Sequence, residues 1–367
     1  MKKILIVCDY FYPAFKAGGP IKSLVNIAKS FNKTNCITVL TYNHDIDGQV
    51  INESGIELFE NNVTVYYAKS MLDFTKYYLK LSKAVDIIYL NSFFSRRTTL
   101  PALVLKKSDA KILLAPRGEL TTGALTFKPF KKKTYIKLFN FFARHNKVYF
   151  HFTSIEEKKE SLIALKQEFS SSVIPNMHDT IPSYINKHKK EGEVHISFVS
   201  RISPKKNLKA VLLSLLNIGQ GDIYLSIAGN VEDEKYWAEC KMIINQLPQN
   251  VKVECLGGIK PAQVADLLKR SHLFFLPTLN ENYGHAIVES MINSNVVLIS
   301  DQTPWSDVQR NGGYVAGYND INTFEKYITE CMSFNECQFN NKSLQVYNYA
   351  LNALAKDEHK MSTLFDI

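Results

Sequence analysis

Two glutamates eight positions apart, Glu281 and Glu289, stand in the segment LPTLNENYGHAIVESM. The run reads as a strand ending at Pro277, a polar loop, and an amphipathic helix opened by Gly284. Glu281 then sits in the loop at the helix N-terminus and Glu289 in the helix's second turn. There the backbone N–H groups of Asn282, Tyr283 and Gly284 are expected to be unpaired and aimed at an anion, helped by the helix dipole. Carboxylates beside such a site suit sugar hydroxyls rather than phosphate. A capped surface helix with two solvated glutamates has the same spacing, so the spacing alone does not decide between the two.

Two further segments bear on the choice. In FVSRISPKKNL a strand ends near Ser200 and is followed by Arg201, Pro204, Lys205 and Lys206. Arg201 offers a fork and Lys206 a point charge to a diphosphate, although both also fit ordinary surface cations near a turn. In DYFYPAFKAGGPIKSL a first strand leads through Gly18-Gly19 into a helix begun by Pro20. This junction can present N–H groups to phosphate. It is neither G-x-G-x-x-G nor a Walker A loop.

The elements that must position these residues alternate. Strand candidates fall at 4–8, 37–41, 63–67, 87–90, 112–115, 148–152 and 173–174, and again at 196–200, 223–228, 252–256, 273–277, 296–300 and 314–315. Helical periods fill the gaps. This order means parallel sheets covered on both faces. The polar run 179–193 reads as the seam. The expected domains are residues 1–180, completed by a C-terminal helix at 343–367, and residues 190–342, with ligand in the crevice at the carboxyl ends of the strands.

The chain has 367 residues, 46% apolar and 22% charged, with a net charge of +9. That is enough for two packed cores and excludes collagen-like and low-complexity classes. The six cysteines form no C-x-x-C pair, against a zinc site or disulfide scaffold and in favour of a reducing compartment. Apolar runs are too short for a membrane span, and the N-terminus reads as a strand rather than a signal peptide.

Taken together, the N-terminal Gly-Gly loop, the R-x-x-P-x-K turn and E-x7-E as ENYGHAIVE resemble the retaining glycosyltransferases of family 4, of the bacterial surface-polysaccharide type. Thr153-Ser154-x-x-Glu157, Ile174-Pro175-Asn176 and Ala228-Gly229-Asn230 are weaker matches. The resemblance implies an α/β chain of GT-B fold, two doubly wound Rossmann-like domains facing a central cleft, the first on the acceptor side and the second binding the nucleotide sugar. It implies catalytic roles for Glu281, Arg201 and Lys206. Arg201 and Lys206 would neutralise the donor diphosphate, Glu281 would hold the transferred sugar, and Asn282, Tyr283 and Gly284 would offer N–H groups. Glu289 would hold the ribose, Ile259 with Gly257-Gly258 would flank the base, and Gly19 would reach the phosphate from the first domain. Many family members carry a His after the strand at 112–115. Here Arg117 stands there, and Arg117 and Glu119 become the acceptor-side candidates.

The resemblance also implies a retaining hexosyl- or N-acetylhexosaminyltransferase that uses a UDP-linked donor. Its acceptor would be a glycan or lipid-linked sugar in capsule, O-antigen or similar synthesis. No cofactor or metal is expected: Asp45-x-Asp47 looks like the D-x-D of another glycosyltransferase fold but reads as a loop. His178 reads as a loop histidine and Trp237 as core. A nucleotide-sugar epimerase of the same fold and a non-catalytic scaffold of an assembly complex are the competing functions.

Charge is uneven. Residues 1–190 hold 29 basic and 15 acidic side chains, and residues 191–367 hold 15 and 20. Residues 120–155 contain no acid, while Lys128, Lys131, Lys132, Lys133, Lys137, Arg144 and Lys147 interleave with Phe127, Phe130, Tyr135, Phe139, Phe141 and Phe142. An anionic membrane surface fits this segment, which points to a cytoplasmic protein peripheral on the inner face of the plasma membrane. A solvated basic face over a packed aromatic one fits as well. Nucleic acid is not an expected partner.

Overall fold

The computed structural model describes all residues except 17, 61, 107, 127, 145 and 178–180, and leaves aside the side chains of 357–359. Phe127, His178 and the start of the 179–193 run lie outside the described residues. The chain divides into two compact units, residues 1–179 with 357–367, and residues 180–356.

The first unit is built on an eight-stranded sheet: β1 (Lys3–Val7), β2 (Cys36–Tyr42), β3 (Ile56–Glu60), β4 (Val63–Ala68), β5 (Ile87–Asn91), β6 (Lys111–Ala115), β7 (Val148–Phe152) and β8 (Ser171–Val173). Their order is β3-β4-β2-β1-β5-β6-β7-β8. The β1 run Ile-Leu-Ile-Val is buried on both faces because alternate side chains serve different cores. Leu5 and Val7 join one cluster, Ile4 and Ile6 the other. The sheet is not wholly parallel, since β3 pairs antiparallel with β4 at its edge.

The second unit has six parallel strands: β9 (Glu193–Val199), β10 (Asp222–Ala228), β11 (Val251–Gly257), β12 (Leu273–Leu276), β13 (Val296–Ser300) and β14 (Tyr314–Ala316). Their order, β11-β10-β9-β12-β13-β14, is the doubly wound dinucleotide-binding order, with its switch point between β9 and β12. The first sheet has the corresponding reversal between β1 and β5.

The final helix differs from expectation. It spans Glu336–Ser362, and Phe339, Val346, Ala350 and Leu354 are buried in the second unit's core. Only residues 357–367 belong to the first unit, where Met361, Leu364 and Phe365 are buried. The apolar spacing from 339 to 354 continues one helical stripe, so the chain stays on the second core for longer than the expected break at 343. Among the described residues no helix is long and apolar enough to cross a membrane.

Candidate functional site

At the second unit's switch point, the loops after β9 and β12 are joined by hydrogen bonds. The Leu279 N–H donates to the Lys205 carbonyl at 2.8 Å, and the Thr278 hydroxyl lies 3.2 Å from the same oxygen. The turn Pro204–Lys206 is a single 3-10 turn closed by Asn207, whose left-handed φ of 59° releases the chain into the helix Leu208–Leu213. These two loops bring together Lys206 and Glu281, whose side chains form an ion pair and are only 13% and 15% exposed. Two residues far apart in the chain are thus one feature of the site.

Glu281 is fixed from its backbone, its N–H donating to the Gln302 carbonyl at 3.2 Å. Gly284 caps the helix His285–Ile292 with φ +77°, a conformation that excludes most L side chains, and an added Cβ would lie 2.9 Å from Ile287. The Tyr283 carbonyl accepts a hydrogen bond from the Trp305 indole N–H, and the two rings meet edge to face at 5.6 Å. Trp305, in the loop after β13, therefore braces the Glu281 loop from behind. Asn282 keeps its place in this loop, half-buried, and Glu289 is half-buried in the second turn of the helix.

Arg201 is placed differently from Lys206. It pairs with Glu232 at 2.8 Å, both about half exposed, on the loop after β10. That loop is tied back by Ile202 N–H to the Asn230 carbonyl at 2.9 Å. Gly229 and Gly258 allow three loops to close up: a Cβ on Gly229 would overlap the Ser200 carbonyl, and one on Gly258 would overlap the Asn230 amide. Ile259, half-buried, follows directly after this contact. Glu232 and Trp305 carry no sequence signal of their own, because each acts through a neighbour on another strand's loop, whereas Asn230 belongs to the Ala228-Gly229-Asn230 match.

In the first unit the Gly-rich loop precedes a helix that starts at Gly19 and runs to Phe31, with Gly18 at φ +78°. Asp45 explains how the loop is held. Its buried carboxylate accepts from Phe15 N–H at 2.9 Å and Lys16 N–H at 3.0 Å, and Asp47 pairs with the Lys16 ammonium. The D-x-D residues thus have a positioning use in the loop. Among the described residues no three His, Cys, Asp or Glu side chains converge as metal ligands.

Arg117 and Glu119, expected to line an acceptor surface, are half-buried and hydrogen-bonded to groups of the first unit itself. Arg117, itself at φ 57°, donates to Asn91 Oδ1 at 2.8 Å, to the Tyr89 hydroxyl at 2.9 Å and to Asn176 Oδ1. Glu119 accepts from Phe93 N–H at 2.6 Å, Phe94 N–H at 2.8 Å and the Ser92 hydroxyl at 2.7 Å. Desolvation raises its pKa, opposed by these hydrogen bonds. The reason is topological: the loop after β6 runs beside the end of β5, whose polar residues claim both side chains. Tyr89 in turn contacts His151 Nδ1 at 2.9 Å, while His151 Nε2 reaches the Ile174 carbonyl at 2.7 Å. Burial, reinforced by Arg117, holds the imidazole neutral with a pKa lowered to about 3. Glu157, of the Thr-Ser-x-x-Glu match, accepts from Gly118 N–H at 2.5 Å and from both Thr153 donors at 2.7 Å.

The basic segment forms the helix Pro129–Ala143. Tyr135, Ile136, Phe139 and Ala143 are its buried face, whereas Leu138 is 41%, Phe141 58% and Phe130 84% exposed. The apolar stripe is narrower than the sequence implies, and three large apolar side chains face outward.

Residues 181–350, nearly all of the second unit, match the family model described as glycosyl transferases group 1. The O-antigen chain mannosyltransferase B of Escherichia coli is 21% identical over 213 residues, 57% of this chain and 51% of that protein. The chain thus matches over about half the length of this curated relative. Among solved structures, Anabaena HepE in complex with UDP and glucose superposes with a TM-score of 0.73 at 17% identity, covering 100% of both chains. Sucrose-phosphate synthase from Thermosynechococcus elongatus gives a TM-score of 0.74 at 12% identity, covering 100% of this chain and 98% of that one. The fold is therefore GT-B, two Rossmann-like units with sheets that are parallel except for the edge strand β3.

Proposed function

We propose that this chain is a retaining glycosyltransferase that moves a sugar from a nucleoside diphosphate, UDP in our reading, to a glycan or lipid-linked acceptor in surface-polysaccharide synthesis. The observation that carries the proposal is the Lys206–Glu281 pair at the switch point of a glycosyl transferases group 1 domain. The O-antigen relative and the neighbour solved with UDP and glucose support the direction of the reading.

In this reading the donor trades places with the ion pair. The diphosphate takes the Lys206 ammonium and the Arg201 fork, and the sugar hydroxyls take the Glu281 carboxylate. As the glycosidic bond breaks, negative charge grows on the leaving diphosphate and the two cations stabilise it in place. Glu289 accepts from the ribose, the stretch after Gly258 including Ile259 flanks the base, and Asn282, Tyr283 and Gly284 shape the pocket around the sugar. Retention follows from same-face attack through an oxocarbenium-like, ion-paired transition state, which needs no protein nucleophile.

The deciding experiment is turnover with a panel of sugar nucleotides and lipid-diphosphate acceptors, with and without EDTA, the product's anomeric configuration being read by NMR. Transfer with retention in EDTA is the expected result. Interconversion of the donor without transfer would favour an epimerase, and binding without turnover a scaffold.

A further inference from the structure

The first unit contains a pocket of about 260 Å³ lined by Phe94, Arg96, Lys128, Lys131, Lys132 and Tyr135. Four of these six are cations and none is an acid. Its floor is rigid: Tyr135 is buried, its hydroxyl donates to the Ser95 carbonyl at 2.9 Å, and its ring meets Phe94 edge-on at 5.3 Å. Lys132 is held over the Phe94 ring at 5.0 Å and donates to the Ala124 carbonyl at 2.6 Å. Among the described residues no carboxylate forms an ion pair with Arg96, Lys128 or Lys131.

The pocket lies at the start of the helix Pro129–Ala143. Lys128, its N-cap, is left-handed at φ 54° and supplies no side-chain cap. The positive end of the helix dipole is therefore added to the four side-chain charges. Like charges gathered in a concave, aromatic-walled site repel one another. A single carboxylate would leave most of that charge unmatched, whereas a phosphate or diphosphate carries enough charge and enough acceptor oxygens for the arginine fork and the lysines together. The concave shape suits one isolated group rather than a track of phosphates. Phe130, on the same turn as Lys131, is 84% exposed and gives the neighbourhood an apolar edge suited to a hydrocarbon carrier.

We propose that this pocket holds the phosphate or diphosphate through which the acceptor sugar is joined to its carrier. The acceptor assignment rests on the function proposed above; the anion site does not. It also transfers the acceptor-side role from Arg117 and Glu119 to the cations of the 128–132 turn.

The test is calorimetric titration of the intact chain, saturated with UDP, with inorganic pyrophosphate at low salt. One-site binding is expected, weakened about tenfold or more in the Arg96→Gln/Lys131→Gln double variant, with UDP affinity unchanged. No binding, or equal binding by the variant, overturns the anion site. A second arm uses vesicles of phosphatidylcholine and phosphatidylglycerol. Attachment displaced by pyrophosphate identifies a lipid headgroup as the source, and pyrophosphate binding without vesicle attachment identifies a soluble acceptor. Attachment that pyrophosphate leaves untouched assigns membrane contact to the exposed Lys133 and Lys137 face and rules out a lipid headgroup as the pocket's anion. In a third arm, KM for a diphosphate-linked acceptor should rise in the double variant, while KM for an alkyl-linked analogue should not. Equal effects on both acceptors overturn the acceptor role. Failure of every sugar nucleotide to turn over would instead sink the transferase reading, and the pyrophosphate titration, which needs no turnover, would still decide the anion site.

Discussion

Arg117 and Glu119 in the first unit, and Lys206 and Glu281 in the second, are cation and carboxylate pairs in loops at the carboxyl ends of their sheets. Arg117 is bound to Asn91, Asn176 and Tyr89, and Glu119 to three donors at residues 92–94. Removing Glu119 takes the acceptor from three donors, and removing Arg117 takes a donor from Asn91 Oδ1, while the Tyr89 hydroxyl and Asn176 Oδ1 keep His151 and the Ser23 hydroxyl. Both side chains are thus held by the first unit's own polar groups. Lys206 and Glu281 have each other. A ligand that brings one anion and one set of hydroxyls can replace both halves of that pair at once. The difference teaches that charge at a sheet's carboxyl end marks a site only where its partners can be replaced.

The comparison breaks first at Lys206. Lys206→Ala should lower kcat/KM by about a hundredfold or more, with little change in the unfolding midpoint. A large loss of stability with near-normal turnover would place Lys206 with Arg117. The reverse is expected of Arg117→Ala, which should cost about 3 kcal/mol of first-unit stability by chemical denaturation. A well-folded Arg117→Ala chain that fails only in acceptor turnover would restore the acceptor-side role.

The neutral histidines sharpen the comparison. His151 in the first unit and His272 in the second both have pKa values lowered to about 3, burial being the main cause. The unfolded chain binds their protons near pH 6.5 and the folded chain does not. Stability should therefore be full above about pH 6.5 and fall as pH drops towards about 3, by about 2 kcal/mol per histidine at about pH 5. Melting curves at about pH 7 and about pH 5 check this, and His151→Gln should remove part of the loss.

The smallest effect is expected at Arg201. Arg201→Ala should weaken UDP binding about tenfold in calorimetry without changing stability, because its pair with Glu232 is half exposed. Arg201→Lys should recover only part of the affinity, since the fork is lost. Unchanged affinity in both variants would leave Arg201 a surface cation.

Much of the fold is legible in the sequence, because buried parallel strands carry their burial in their composition. β13, Val-Val-Leu-Ile-Ser, is buried throughout and reads as a strand on its residues alone. The edge strand β3, Ile-Glu-Leu-Phe-Glu, does not. Its three apolar residues are not buried, two of them being exposed, and it gains its strand character from pairing with β4. The helix Thr99–Val104 is hidden by Pro101 and by its lack of a polar face. In the candidate site, the loop positions of Glu281 and Lys206 are legible because each stands where a strand gives way to a loop, whereas their pairing across two loops is not. Glu232, Trp305 and Asp45 are not, since each works by holding a backbone or charged group on a loop distant in sequence. The hydrogen-bond partners of Arg117 and Glu119 are hidden from the sequence in the same way, since they lie 25 to 59 positions away.

The central claim, that the Lys206–Glu281 pair is where donor and protein exchange contacts, is tested most directly by Glu281→Gln. Substitution removes the charge and keeps the shape. Single-turnover transfer and UDP affinity should be measured on the same folded variant. The account predicts a fall in the transfer rate of about a hundredfold or more, the cost of a charged contact made mainly in the transition state, with UDP affinity held within a few-fold of the parent chain. Near-normal transfer by a well-folded Glu281→Gln chain would contradict it.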